Sequence, residues 1–154
     1  MGLDMYLTAS KYVGRWSHEN EKEKKAYDAI VAAAGLDDFV CEESPSLNVE
    51  VTVAYWRKAN AVHQWFVDNV QDGEDNCSRY YVSRDSMSEL VTLCKKVIKT
   101  GDASELPPTA GFFFGTTEIG DDYFFDLKNT VKQLTAVLND KRFETCEFNY
   151  QASW

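Results

Sequence analysis

The sequence predicts an α+β domain: a mixed or antiparallel sheet of about five strands, covered by about four helices. Three observations lead there. Short segments alternate polar and apolar residues, as strands with one buried face do. Between them lie segments with apolar residues at helical spacing, bounded by capping residues and glycines. The 154 residues, 44% hydrophobic and 14% aromatic, supply a core for a single domain spanning 1–154, with no internal repeat and no linker.

Taken in order, Leu3, Met5 and Leu7 alternate with Asp4 and Tyr6 and predict a first strand. A helix is expected from Ser17, its N-cap, to Ala34, with Gly35 as terminator and Ala26, Tyr27, Ile30, Val31 and Ala34 on its apolar face. After a loop interrupted by Pro45, the alternation of Leu47, Val49, Val51 and Val53 predicts a second strand. The next helix is expected from Trp56 to Val70, closed by Gln71-Asp72-Gly73. Ser78 to Val82 reads as a short strand. Ser83 then caps a helix carrying Met87, Leu90, Val91, Cys94, Val97 and Ile98 up to Gly101. Beyond Pro107-Pro108, Gly111 to Gly115 (GFFFG) reads as a buried strand or a tight turn. Asp121 opens a last helix with a stripe of Tyr123, Leu127, Val131, Leu134 and Val137. A final strand follows, with Cys146, Phe148 and Tyr150 inward.

Net charge is −9, which argues against general nucleic-acid binding, because displacing counterions from a duplex takes several clustered cations. A local cationic pocket inside an acidic shell stays compatible with that balance. The acids are dispersed as Asp37-Asp38, Glu42-Glu43, Asp72 to Asp75 and Asp121-Asp122, a pattern of solvated loops and helix starts. MGLDMYLTAS shows no secretory signal and no apolar run reaches membrane-spanning length, so the expected location is cytoplasmic, without a membrane partner. Cys41, Cys77, Cys94 and Cys146 lack any C-x-x-C pair, and only two histidines are present, so no metal site is expected. Reduced thiols are expected, with Cys94 and Cys146 as small core residues.

The common catalytic signatures are missing: no phosphate-binding G-x-x-x-x-G-K-[ST], no G-x-G-x-x-G, no H-E-x-x-H and no G-x-S-x-G. No cofactor and no catalytic residue is therefore assigned. The densest chemistry is VAYWRKANAVHQWF, Val53 to Phe66. Read as a helix at about 100° per residue, it places Ala59, Val62, Phe66 and Val70 at the centre of the apolar face. Trp56 and His63 fall on one shoulder, with Arg57, Asn60 and Gln64 just beyond, and Lys58 and Trp65 on the other. Trp56 is then a stacking face, and Arg57, Asn60, His63 and Gln64 bind a polar or anionic group. The competing reading is a packed helix with solvated Arg57 and Lys58. GFFFGTTE adds Thr116 and Glu118 as candidate ligand contacts. Tyr12, Arg15 and Trp16 are a candidate lid.

MGLDMYL at the start, YWRKAN-x-x-H-x-WF in the middle, YYVSR before a helix, FFFG followed by threonine and glutamate, and a closing YQ-x-SW together resemble a family of small proteins. These come from tailed phages, prophages and bacteria, and the resemblance spans nearly the whole chain. It implies a phage-type protein of the host-cell cytoplasm and carries no established activity. Some members bear the label phosphoglycerate kinase, but this chain is far too short for that two-domain enzyme and has no nucleotide-phosphate loop. Small phage proteins include some that counter bacterial defence by sequestering nucleotide signals, an analogy and not a derivation.

Three functions are thus carried forward. The first is sequestration of a phosphorylated, base-containing small molecule, such as a nucleotide immune signal, by the Trp56–Gln64 edge. The second is a protein-interaction module that inhibits a host protein through Trp65, Trp16 and the acidic loops. The third is a small nucleotide hydrolase or transferase with His63 as base and Asp4 or Glu118 as its partner. A homo-oligomer or a host protein partner is compatible with all of them.

Overall fold

A computed structural model describes residues 2–154. Its elements are β1 (Asp4–Gly14), α1 (Glu21–Ala34), β2 (Ser46–Arg57), α2 (Asn60–Asn69), β3 (Tyr80–Val82), α3 (Arg84–Thr100), α4 (Asp121–Asn139) and β4 (Glu147–Ser153), with short 3₁₀ turns at Asp37–Phe39 and Lys141–Phe143. The strands form one antiparallel sheet in the order β2-β1-β4-β3, with Tyr80 opposite Tyr150 and Val82 opposite Phe148. The predicted α+β class is the observed one. The chain divides into two compact units, Ser10–Glu50 and the remainder up to Ala9 and from Val51.

In the larger unit, period-2 alternation decides which face of the sheet is buried. Leu3 just before β1, Met5, Leu7 and Ala9 from β1, Ala54 and Trp56 from β2, and Phe148, Tyr150 and Ala152 from β4 all enter one core. Helices α2, α3 and α4 add Val62, Phe66, Met87, Leu90, Cys94, Leu127 and Leu134 to it. Full burial of a side chain of this size contributes about 1.5–3 kcal/mol. Phe66 stacks on Tyr150 with ring centroids 3.9 Å apart, locking α2 onto β4. At Tyr55 the edge of β2 is covered: Gln133 of α4 accepts from the Tyr55 N–H at 2.9 Å and donates to the Tyr55 carbonyl at 3.1 Å.

Capping follows sequence signals closely for α3. The Ser83 hydroxyl accepts from the Ser86 N–H, and Gly101 ends the helix at φ 73°. In the Ser10–Glu50 unit, α1 ends at Gly35 in the left-handed region as expected, but its cap is Asn20, not Ser17. Asn20 accepts from the Glu23 N–H at 3.0 Å, and Glu21 and Glu23 suit the helix's positive end. Tyr27 and Val31 are buried, whereas Ala26 and Ala34 are exposed. Arg15 pairs with Asp28 at 2.6 Å on the surface, and Trp16 donates to the Tyr12 hydroxyl, so the candidate lid residues are engaged within this unit.

Two expectations need correction. Among the described residues there are four strands, not five: Gly111 to Gly115 is a turn, because Phe113 (φ 69°) and Gly115 (φ 92°) leave extended geometry. Only Phe114 of the three phenylalanines is buried. A side chain at Gly111 would collide with the Phe114 ring at 2.3 Å, so the turn requires glycine there. The second correction moves the start of α2 from Trp56 to Asn60. The inward-outward alternation of β2 simply continues through Ala54, Tyr55, Trp56 and Arg57, and the Lys58 N–H still bonds to the Leu3 carbonyl at 2.8 Å. Lys58, at φ 59°, then turns the chain into the helix.

Candidate functional site

Because Trp56 and Arg57 belong to a strand, the helical edge drawn through them does not exist. Trp56 points into the core, 1% exposed, and its indole N–H donates to the Thr130 hydroxyl at 2.8 Å. It offers no stacking face. Trp65 is buried as well. Gln64 lies half-exposed and donates to Asp68 at 2.8 Å, one turn along α2.

His63 is fully buried. Its Nε2 lies 3.0 Å from an Asp75 carboxylate oxygen and its Nδ1 2.7 Å from the Tyr150 hydroxyl. A carboxylate accepts only, so Nε2 donates to Asp75, and in the neutral ring Nδ1 accepts from Tyr150. The other Asp75 oxygen accepts from the Trp154 indole at 3.1 Å. Burial pushes the Tyr150 hydroxyl well above its ordinary value, so it remains a donor. This chain of bonds ties the 71–79 loop to β4. The partner of His63 is thus Asp75, not Asp4 or Glu118; Asp4 instead accepts from the Tyr55 hydroxyl.

Asn60 is also buried, and both its amide protons and its oxygen are engaged. Its amide group donates to the carbonyls of Phe114 (3.1 Å) and Thr116 (2.9 Å), and its oxygen accepts from the Thr109 N–H (3.0 Å). One side chain therefore pins both ends of the 109–116 stretch onto the start of α2. The Tyr123 hydroxyl holds the same connection further upstream, at the Leu106 carbonyl, 2.7 Å away.

What this pinning builds is a cavity of about 410 Å³. Arg57 and Lys58 at the end of β2 and Asn60 to Val62 in the first turn of α2 form one wall. Pro108, Gly115, Thr116 and Glu118 come from the pinned connection, and Asp122, Tyr123, Phe125 and Asp126 from α4. Gly115 sits so close to Lys58 that a Cβ there would lie 3.2 Å from the Lys58 Cβ. Among the described residues, neither Arg57 nor Lys58 has an ion-pair partner, although three carboxylates line the same cavity. The first turn of α2 has no side-chain cap: the Asn60 N–H bonds to the Lys58 carbonyl at 2.8 Å, which leaves the Ala61 and Val62 N–H groups as donors at the positive end of the helix. On the α4 wall, burial and then the neighbouring Asp122 raise the Asp126 carboxyl to about 6.

Of the seven residues singled out from sequence, Arg57, Asn60, Thr116 and Glu118 line this cavity, and Trp56, His63 and Gln64 do not. Lys58, placed on the far shoulder by the helical wheel, stands beside Arg57. Asp122, Phe125 and Asp126 went unnoticed. Their signal was present as an Asp-x-x-x-Asp pair on one face of α4 beside an apolar stripe that excludes Phe125. Burial raises the Cys94 thiol to about 12, in keeping with a core role, and no group of metal-ligating side chains occurs among the described residues. Comparisons with protein-family models, curated proteins and solved structures give no match to this chain.

Proposed function

We propose that this protein binds a phosphorylated, base-containing small molecule in the cavity between β2, α2 and α4, and holds it unchanged. The observation that carries this reading is the pair Arg57 and Lys58, unpaired among the described residues beside the uncapped first turn of α2. Cations facing a helix N-terminus form a phosphate site, since both supply N–H donors and positive potential. Arg57 grips phosphate oxygens bidentately and Lys58 adds a point charge. The exposed ring of Phe125 is the aromatic surface a base would lie against, in place of Trp56.

The resemblance to small phage proteins supports a role in sequestration: a nucleotide signal of the host's defence is held and withdrawn from its receptor. Binding without turnover fits the engaged state of His63, whose two ring nitrogens both have partners away from the cavity.

A thermal-shift and calorimetric panel of nucleoside mono- and diphosphates, cyclic nucleotides and ADP-ribose derivatives tests the reading. At least one should raise the melting temperature with one-to-one stoichiometry and be recovered intact after denaturation. Failure of the whole panel to bind would refute it, and catalytic loss of a bound nucleotide would convert it to an enzyme. A second reading, an interaction module, is favoured by the exposed aromatics Phe112 and Phe125 and by Ile119. It requires a stoichiometric host partner whose capture is lost with Phe112→Ala.

A further inference from the structure

The hydrogen-bond inventory of the cavity is lopsided, and the imbalance specifies the far end of the ligand. The Asn60 amide, on the α2 wall, has given both its protons to carbonyls, and on the side contributed by α4 Tyr123 has given its own to Leu106. The Thr116 hydroxyl accepts from the Glu118 N–H and keeps one O–H to offer. The carboxylates of Glu118, Asp122 and Asp126, by contrast, have no side-chain hydrogen bond or ion pair among the described residues. This wall is rich in acceptors and nearly without donors. Asp122 and Asp126 are four residues apart on α4 and so lie on one face.

From this, and resting on the function proposed above, we infer that the ligand is a guanine-type nucleotide, with its phosphate at Arg57 and Lys58 and its base presenting two adjacent N–H donors to the Asp122–Asp126 pair. Guanine offers a ring N–H next to an exocyclic amino group, and a carboxylate with two acceptor oxygens takes both. Adenine has an acceptor where guanine has the ring N–H, and hypoxanthine lacks the amino group. Either would leave an oxygen of the half-buried Asp126 without a partner. Burial already penalises the Asp126 charge, pushing its carboxyl to about 6, and a donor edge relieves that penalty. Phe125, planar and exposed beside these carboxylates, favours a flat base over an aliphatic amine as the donor group.

The test is calorimetric titration of the intact chain with guanosine, inosine and adenosine 5′-monophosphates, inorganic phosphate and phosphoethanolamine. Guanosine monophosphate should bind about tenfold or more tighter than the inosine and adenosine forms. An Asp122→Asn/Asp126→Asn double variant, checked to melt cooperatively at or above the parent's temperature, should lose that preference while binding inorganic phosphate within about twofold of the parent. Equal affinity for the three nucleotides would overturn the guanine assignment and leave the phosphorylated-base reading standing. Phosphoethanolamine binding tightest would overturn it in favour of an ammonium ligand. No binding by any nucleotide would overturn both.

Discussion

Arg57 and Lys58 differ from Asn60 and His63 in what their polar atoms already touch, although only a few residues separate them. The first two end a strand, are exposed, and have no ion-pair partner among the described residues. The second two begin a helix, are buried, and have each polar side-chain atom bonded by the protein itself. All four residue types are common in ligand sites. Only the first pair has capacity left for a ligand. The second pair builds the cavity by pinning the connections that surround it, so its loss should register in stability first.

The largest effect should come from the elements that the buried pair ties down. Removing Phe148 to Trp154 deletes β4, which lies between β1 and β3, together with two buried aromatics. Since one Phe→Ala in a core costs roughly 3–5 kcal/mol, the truncated chain should not fold, and circular dichroism would show it. A cooperative transition like the parent's would mean that β4 is not a central strand.

Next come the buried polar residues themselves. His63→Ala strands the Tyr150 hydroxyl and removes one bond of Asp75, and Asn60→Ala strands two carbonyls and an N–H. Each buried group left unpaired costs roughly 1–3 kcal/mol, so urea midpoints should fall clearly for both variants. Arg57→Ala and Lys58→Ala should leave those midpoints within about 0.5 kcal/mol of the parent, as surface substitutions do. If the two pairs lowered stability equally, the division between them would be wrong.

The smallest effect concerns Asp126, whose carboxyl rises from 3.8 to about 6 through burial and then Asp122. A raised carboxyl favours the protonated folded state. Its cost is absent below the unfolded value and develops as pH climbs through the folded one. Asp126→Asn should therefore raise the melting temperature at pH 7.5 and change it little at pH 4. An identical shift at both pH values would remove the electrostatic cause.

Most of the architecture was legible in the sequence because caps and periodicity agreed at several elements. Ser83 and Gly101 around α3, the α4 stripe and the alternation in β4 each name an element by two independent signals. The start of α2 was not legible. Tyr55 to Lys58 fits the period of a helix and of a strand, and pairing with β1 decided between them. That single boundary displaced Trp56 from a candidate ligand face into the core. GFFFG misled for a related reason, since three phenylalanines suggest burial while Phe113 and Gly115 adopt turn geometry. Thr116 and Glu118 were found because they are polar beside glycine, whereas Arg57 was drawn from a helical wheel that does not hold there and lines the cavity as the last residue of β2. Asp122 and Asp126 are brought to the cavity only by the packing of α2 against α4, which no local pattern announces.

The contrast between free and engaged polar groups is tested most directly by one titration. An Arg57→Ala/Lys58→Ala double variant and its parent would be titrated calorimetrically with guanosine 5′-monophosphate, and both would be melted without ligand. At roughly 1.5–3 kcal/mol for each charged hydrogen bond, affinity should fall about 100-fold or more while the melting temperature stays where it was. Unchanged affinity in the double variant would contradict the account, because the cations it leaves free would then have no part in binding.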